Sequence, residues 1–105
     1  MTTRTLFFTA KQLQKKFKHA TDFGVTGNYN LANANLFQQA IKLHVGNPAT
    51  KMIKGIYRGK TVTHFYNPST GLNVVRDTKD YFMTGWKLNH SQIWHLINTG
   101  KLGGG

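Results

Sequence analysis

From Thr50 to Leu88 the chain changes its period, and that change constrains the fold more than any other feature. "TKMIKGIYR" (50–58), "KTVTHFYN" (60–67), "LNVVRD" (72–77) and "DYFMTGWKL" (80–88) are short runs rich in β-branched and aromatic residues. They are separated only by Gly59, by the turn "NPSTG" with Pro68 and Gly71, and by Thr78 and Lys79. Connections this short join neighbouring strands running in opposite directions, because a parallel pair needs a long crossover. An antiparallel four-stranded sheet is expected, beginning with a hairpin about Gly59.

Helical patterns flank this block. Thr9 is placed to cap a first helix with Gln12 reaching back, and Ala10, Leu13, Phe17 and Ala20 form its apolar stripe. "DFGVTGNYN" (22–30) breaks it. A second helix, "ANANLFQQAIKLHV" (32–45), is expected to bury Leu36, Phe37, Ala40 and Ile41, with His44 beyond them, and "GNP" (46–48) ends it. Asn89 caps a last helix, "HSQIWHLIN" (90–98), with Gln92 three residues on, Gly100 as its stop and Ile93, Trp94 and Ile97 as its core face. The order α-α-β-β-β-β-α describes an α+β domain with helices segregated to a face or the ends of the sheet. Residues 9–102 form the domain, 1–8 a lead-in, and 103–105 a glycine tail expected to fray.

Composition narrows the chemistry. Fourteen Lys and Arg face only Asp22, Asp77 and Asp80, with no Glu, for a net charge of +11 on 105 residues. With 39% hydrophobic residues this is a folded basic globule, whose natural partner is a polyanion: nucleic acid, an acidic protein or an anionic surface. Three scattered aspartates are poor material for a Mg²⁺ or Ca²⁺ site or a glycosidase pair. His19, His44, His64, His90 and His95 lack zinc-site spacing, and no cysteine is present. Metal-free chemistry, or none, is expected, with no cofactor. No apolar run approaches the ~20 residues of a membrane span. His64 and His95 read as packing residues, and Asp22–Phe23–Gly24 matches the kinase tripeptide without any other kinase feature.

Two stretches carry candidate chemistry. In "KKFKHATDFG" (15–24), Lys15 and Lys16 lie four and three residues before His19, on one helical face, with Lys18 offset. The pattern fits a solvated basic face. The sharper alternative is a phosphate site in which cations hold the imidazole neutral, ready to accept a proton, and periodicity alone favours the solvated face over it. In "DYFMTGWKL", alternation sends Phe82, Thr84 and Trp86 to one face and Tyr81, Met83 and Lys87 to the other. Thr84 and Trp86 read either as core or as a hydroxyl and an indole that together hold a phosphate and stack a base.

"KFKHATDFG" (16–24), "FYNPSTGLNVV" (65–75) and "YFMTGWKL" (81–88), taken in order, resemble the colicin D nuclease domain family. They also resemble the related toxin tips of contact-dependent growth-inhibition proteins. The likeness runs from about residue 12 to residue 102. It implies a barnase/EndoU/colicin/RelE-like fold and a metal-independent ribonuclease that cuts the anticodon loop of a tRNA. By motif position it makes His19 the catalytic histidine, Lys16 and Lys18 the lysines before it, and Thr84, Trp86 and Lys87 the hydroxyl, indole and last lysine of a Ser-Gly-Trp-Lys block. Threonine replaces serine at position 84, which keeps the hydroxyl and adds a methyl.

On this reading the RNA's own 2′-hydroxyl attacks, leaving a 2′,3′-cyclic phosphate and a 5′-hydroxyl. His19 is assigned as base, Lys18, Lys16 and Thr84 as phosphate holders, and Trp86 as the platform for a base or ribose. With no glutamate present, the second proton transfer falls to a lysine, to water or to His19 itself. Lys15 shares the His19 face, and Lys51, Lys54, Arg58 and Lys60 are expected to follow the tRNA backbone. The resemblance also implies delivery as the tip of a longer secreted or cell-surface polypeptide, action in the target cell's cytoplasm, and an acidic immunity protein that covers the site. The chain is then a monomer or a heterodimer with that protein. A non-catalytic RNA- or ribosome-binding module is the alternative. A membrane-active peptide is disfavoured, because neither amino-terminal helix pairs a wide apolar face with a wholly basic one.

Overall fold

A computed structural model describes residues 3–105; Met1 and Thr2 of the expected lead-in lie outside the described residues. The elements are α1 (Ala10–Lys15), a 3₁₀ helix (Phe17–Phe23), α2 (Leu31–Gly46), β1 (Lys51–Tyr57), β2 (Lys60–Tyr66), β3 (Leu72–Arg76), β4 (Phe82–Lys87), α3 (His90–Thr99) and β5 (Lys101–Leu102). The α+β class and the antiparallel meander are as expected. The sheet has one strand more: its order is β4-β3-β2-β1-β5, with β5 parallel to β1. A two-residue strand carries no periodicity of its own, so only its partner reveals it.

The turns follow their chemistry. Arg58 and Gly59 both take positive φ, 49° and 80°, the backbone twist that a two-residue hairpin loop requires. Asn67 accepts at its side chain from Ser69 N and at its carbonyl from Gly71 N, folding the "NPSTG" turn. Asn89 and Gln92 form a full capping box on α3, and Gly100 closes that helix at φ 72°. At Thr9 only half of the box forms, since Gln12 sends its side chain to Met83 O instead.

Two cores lie on the two faces of the sheet. On one, Phe65, Val74 and Phe82 meet Leu13, Ala20, Phe37 and Ile41 from α1, the 3₁₀ helix and α2. On the other, Tyr57, Val62, Tyr66, Val75 and Trp86 meet Leu88, Leu96 and Leu102. Phe82 therefore lies across the sheet from Trp86, against simple alternation. A bulge is the cause: Val75 pairs with Thr84 but Arg76 with Phe82, leaving Met83 as an extra residue that flips the side-chain sense.

The helix faces also differ from expectation. In α2 the buried residues are Ala34, Phe37, Ile41, His44 and Val45, whereas Leu36 is exposed and Ala40 half-buried. In α3, Leu96 enters the core while Trp94 and Ile97 are each 58% exposed. Each helix buries one narrow stripe; α2 keeps the expected Phe37, Ile41 and His44 in it, and Leu36 in α2 and Trp94 and Ile97 in α3 lie beside the stripe and are left outside.

The segment before α1 is tied down. Phe7 bridges to Tyr81, Arg4 caps the end of α2 through the carbonyls of Val45, Asn47 and Thr50, and Arg76 holds the carbonyls of Thr3 and Thr5. At the other end, β1 and α3 meet through Gly55, where an added Cβ would sit 2.0 Å from Gly100 O. That same oxygen accepts from Ile56 N at 2.8 Å. Gly55→Ala should therefore destabilise the fold by about 3 kcal/mol, at the upper end of overpacking costs. Urea denaturation checks this, with a loss under about 0.5 kcal/mol counting against the close approach.

Candidate active site

The helix expected to run through His19 breaks at Lys16 (φ −101°, ψ 5°) and continues as a 3₁₀ helix to Phe23, closed by Gly24 at φ 82°. The break arranges the site. In a 3₁₀ turn residues i and i+3 eclipse, and His19 N donates to Lys16 O at 3.0 Å. Lys16 and His19 thus share one edge, turned toward β4. Lys15 and Lys18 are left exposed. Phe17 and Phe23 pin the segment to α2, each ring 5.7 Å from Phe37.

Three side chains from distant parts of the chain converge on one oxygen. Lys16 Nζ and Thr84 Oγ1 each donate to the main-chain oxygen of Gly105 at 2.7 Å, and the Tyr57 hydroxyl lies 3.3 Å from it. Tyr57 also donates to Gly104 O. Gly105 packs flat on the Trp86 ring, where a Cβ would come within 2.3 Å of the indole. The tail expected to fray is seated here, because only a glycine fits against that ring. Its oxygens occupy positions suited to oxygens of a bound phosphate.

His19 stands beside this group, its ring 6.2 Å from that of Trp86. Its Nε2 is enclosed and makes no well-aligned hydrogen bond among the described residues. Burial pushes the imidazole pKa below 6.5; the Gly105 main chain pulls it up, Lys18 and Lys16 push it down, and Asp22 raises it slightly. The ring is therefore neutral at pH 7 and free to accept a proton. Burial also lowers the Lys16 pKa from 10.5, helped by Lys18, Arg58 and Lys15. Trp86 is held in orientation by Gln92, whose Oε1 accepts from the indole N–H at 3.2 Å while accepting Asn89 N at 2.9 Å.

Beside the oxygen pocket opens a cleft of about 470 Å³ lined by Lys15, Lys16, Arg58 and Lys60, with Gln12, Tyr57 and a single acid, Asp77. Lys54 lines a neighbouring cleft with Thr61 and Thr63, and Asp77 and Asp80 stand on the wall of that cleft too. Lys51 starts β1, at the end away from the hairpin turn. Lys87 is exposed, and its main-chain N–H donates to Asp22 at 3.0 Å. Sequence reasoning thus reached Lys16, His19, Thr84 and Trp86, which the fold brings together, but missed Tyr57, Gln92 and Gly105. Gln92 was visible as a cap residue. Tyr57 had no sequence signal, because its place here comes from the curl of the sheet.

The family model described as Colicin D matches residues 12–96 of this chain. Colicin-D of Escherichia coli is 38% identical over 84 residues, covering 78% of this chain and 12% of its own length. The chain thus spans about an eighth of that curated relative. A solved ribonuclease from Escherichia coli, complexed with its inhibitor protein, superposes with a TM-score of 0.79 at 35% identity, covering 87% of this chain and all of that one.

A proton NMR titration should give His19 a midpoint below 6.5, and Lys18→Gln should move that midpoint upward by removing a repelling charge. A midpoint at or above 6.5 in the unaltered chain would contradict the enclosed, cation-flanked imidazole described here.

Proposed function

This chain belongs to the colicin D family, and on that premise we propose that it is the ribonuclease portion of a bacterial toxin. It cuts a tRNA in the anticodon loop, needs no metal, and is held silent by an acidic inhibitor protein. The observation that carries the reading is the convergence of Lys16 and Thr84 on one oxygen beside a neutral His19.

The scissile phosphate takes the position of the Gly104 and Gly105 main-chain oxygens, displacing them. Lys16 and Thr84 then hold a non-bridging oxygen, where negative charge grows as the phosphorus becomes five-coordinate. His19 removes the proton of the 2′-hydroxyl, whose oxygen attacks phosphorus. The products are a 2′,3′-cyclic phosphate and a 5′-hydroxyl. Lys18 adds positive potential at the same place without touching the pocket oxygen. Trp86, fixed by Gln92, offers a flat surface to a base or ribose once the glycines leave. Lys15, Arg58 and Lys60 take flanking phosphates along the cleft, and Lys54, Lys51 and Lys87 take more distant ones.

The inhibitor's acidity follows from the surface it must cover, a cleft with four cations on its walls. A solved relative complexed with its inhibitor protein supports that partnership. The small share of colicin-D that the chain spans supports delivery within a larger secreted polypeptide, with action in the cytoplasm of the target bacterium.

Incubation with total tRNA should give discrete fragments that persist in EDTA and carry cyclic phosphate ends. His19→Ala should lower their rate by about 10³-fold, the scale of a lost general base, with the circular dichroism spectrum unchanged. A tRNA that is shifted on a gel but never cut would replace this reading with a non-catalytic RNA-binding module. Binding of an uncleavable tRNA should weaken with salt at a log–log slope of about −4, for about six phosphates at ~0.7 each. A slope near zero would remove the cationic cleft from RNA recognition.

A further inference from the structure

We propose that Tyr57 is the proton donor to the leaving 5′-oxygen; the assignment rests on the ribonuclease reading above. The proposal starts from how the two main-chain oxygens in the pocket are shared. Gly105 O is the acceptor for Lys16 and Thr84, at 2.7 Å from each, with Tyr57 farther away at 3.3 Å. Gly104 O, the next oxygen along, is bonded by the Tyr57 hydroxyl. A phosphate in this pocket presents the same pair: a non-bridging oxygen to the ammonium and threonine, and an adjoining oxygen to the phenol. Among the described residues the phenol is the one neutral O–H aimed at that second position.

The enclosure suits the role. Tyr57 is only 4% exposed, and its ring lies 6.0 Å from that of Trp86, which His19 approaches at 6.2 Å from a different element. Burial raises the phenol above its usual 10.0, outweighing the opposing pull of Arg58, so the proton is present throughout the neutral range. Lys16 is engaged with the Gly105 oxygen, which stands in for the non-bridging oxygen, and no glutamate exists to serve as acid.

In the step itself the O2′–P bond forms and the P–O5′ bond breaks. The 2′-hydroxyl proton goes to His19, and the Tyr57 proton goes to O5′. Water then returns one proton to the phenolate and removes one from the imidazolium, so no co-reactant is consumed.

The test compares two leaving groups. Product-end sequencing first maps the bond that the wild-type chain cuts in tRNA. A synthetic anticodon stem-loop is then made with the 5′-oxygen at that bond replaced by sulfur, which departs as thiolate without needing a proton. Tyr57→Phe should slow the oxygen substrate by about 10²- to 10³-fold yet cut the sulfur substrate at nearly the wild-type rate. His19→Ala should be slow on both. Equal slowing of Tyr57→Phe on both substrates, or no slowing on either, overturns the assignment while leaving the nuclease intact. A fluorinated tyrosine at position 57 guards against misfolding: the alkaline limb of the rate profile should move to lower pH, and an unmoved limb also overturns the assignment. Should the wild-type chain cut neither RNA, the ribonuclease reading falls and the assignment falls with it.

Discussion

The outer edge of β4 is the constraint on which the site depends. An edge strand presents peptide groups that must find partners or stay wet. Here Gln12 donates to Met83 O and Asp22 accepts from Lys87 N at 3.0 Å, so the amino-terminal helical segment is laid along that edge. Such bonds contribute only about 1 kcal/mol each. Their weight is geometric: fixed at two points four residues apart in the strand direction, the segment has one position in which Lys16 and His19 face Thr84 and Trp86.

The second requirement is curvature. Three strand spacings separate β1 from β4, about 14 Å across a flat sheet. The Tyr57 and Trp86 rings are nevertheless 6.0 Å apart, because the sheet curls around its second core. The Met83 bulge serves the same end by turning Phe82 toward the helices while Thr84 and Trp86 stay on the concave side. The acids are meanwhile spent on structure. Asp77 accepts from Lys79 N and Tyr81 N, Asp80 pairs with Arg76 at 3.2 Å, and Asp22 holds β4. Among the described residues none of the cleft lysines pairs with an Asp side chain, although Asp77 stands on the same cleft wall, so the lysines outnumber the acid there and stay available to a ligand.

How much of this was legible in the sequence depends on whether the determinant is local. Turns, caps and the strand–helix boundary were, because Gly59, Asn67, Asn89 and Gly100 act within a few residues of themselves. Helix faces were less so: Leu36, Trp94 and Ile97 are apolar enough to suggest a core, but the sheet's curvature selected Leu96 and Ala34 instead. Lys16, His19, Thr84 and Trp86 were reached through a family pattern in which adjacent residues do the work. Tyr57, β5 and the seating of Gly105 are set by contacts between distant parts of the chain, and no window of sequence contains them.

The seating of the last glycines has a kinetic and thermodynamic consequence. Leu102 is anchored in β5, so Gly104 and Gly105, two and three residues further on, stay within reach of the pocket. A tethered occupant of this kind acts at a high effective concentration. The observed affinity for any incoming polyanion is then its intrinsic affinity multiplied by the fraction of time the pocket stands open. A substrate large enough to gain contacts along the whole cationic cleft can overcome that handicap, whereas a mononucleotide or free phosphate, with the pocket alone to bind, is turned away.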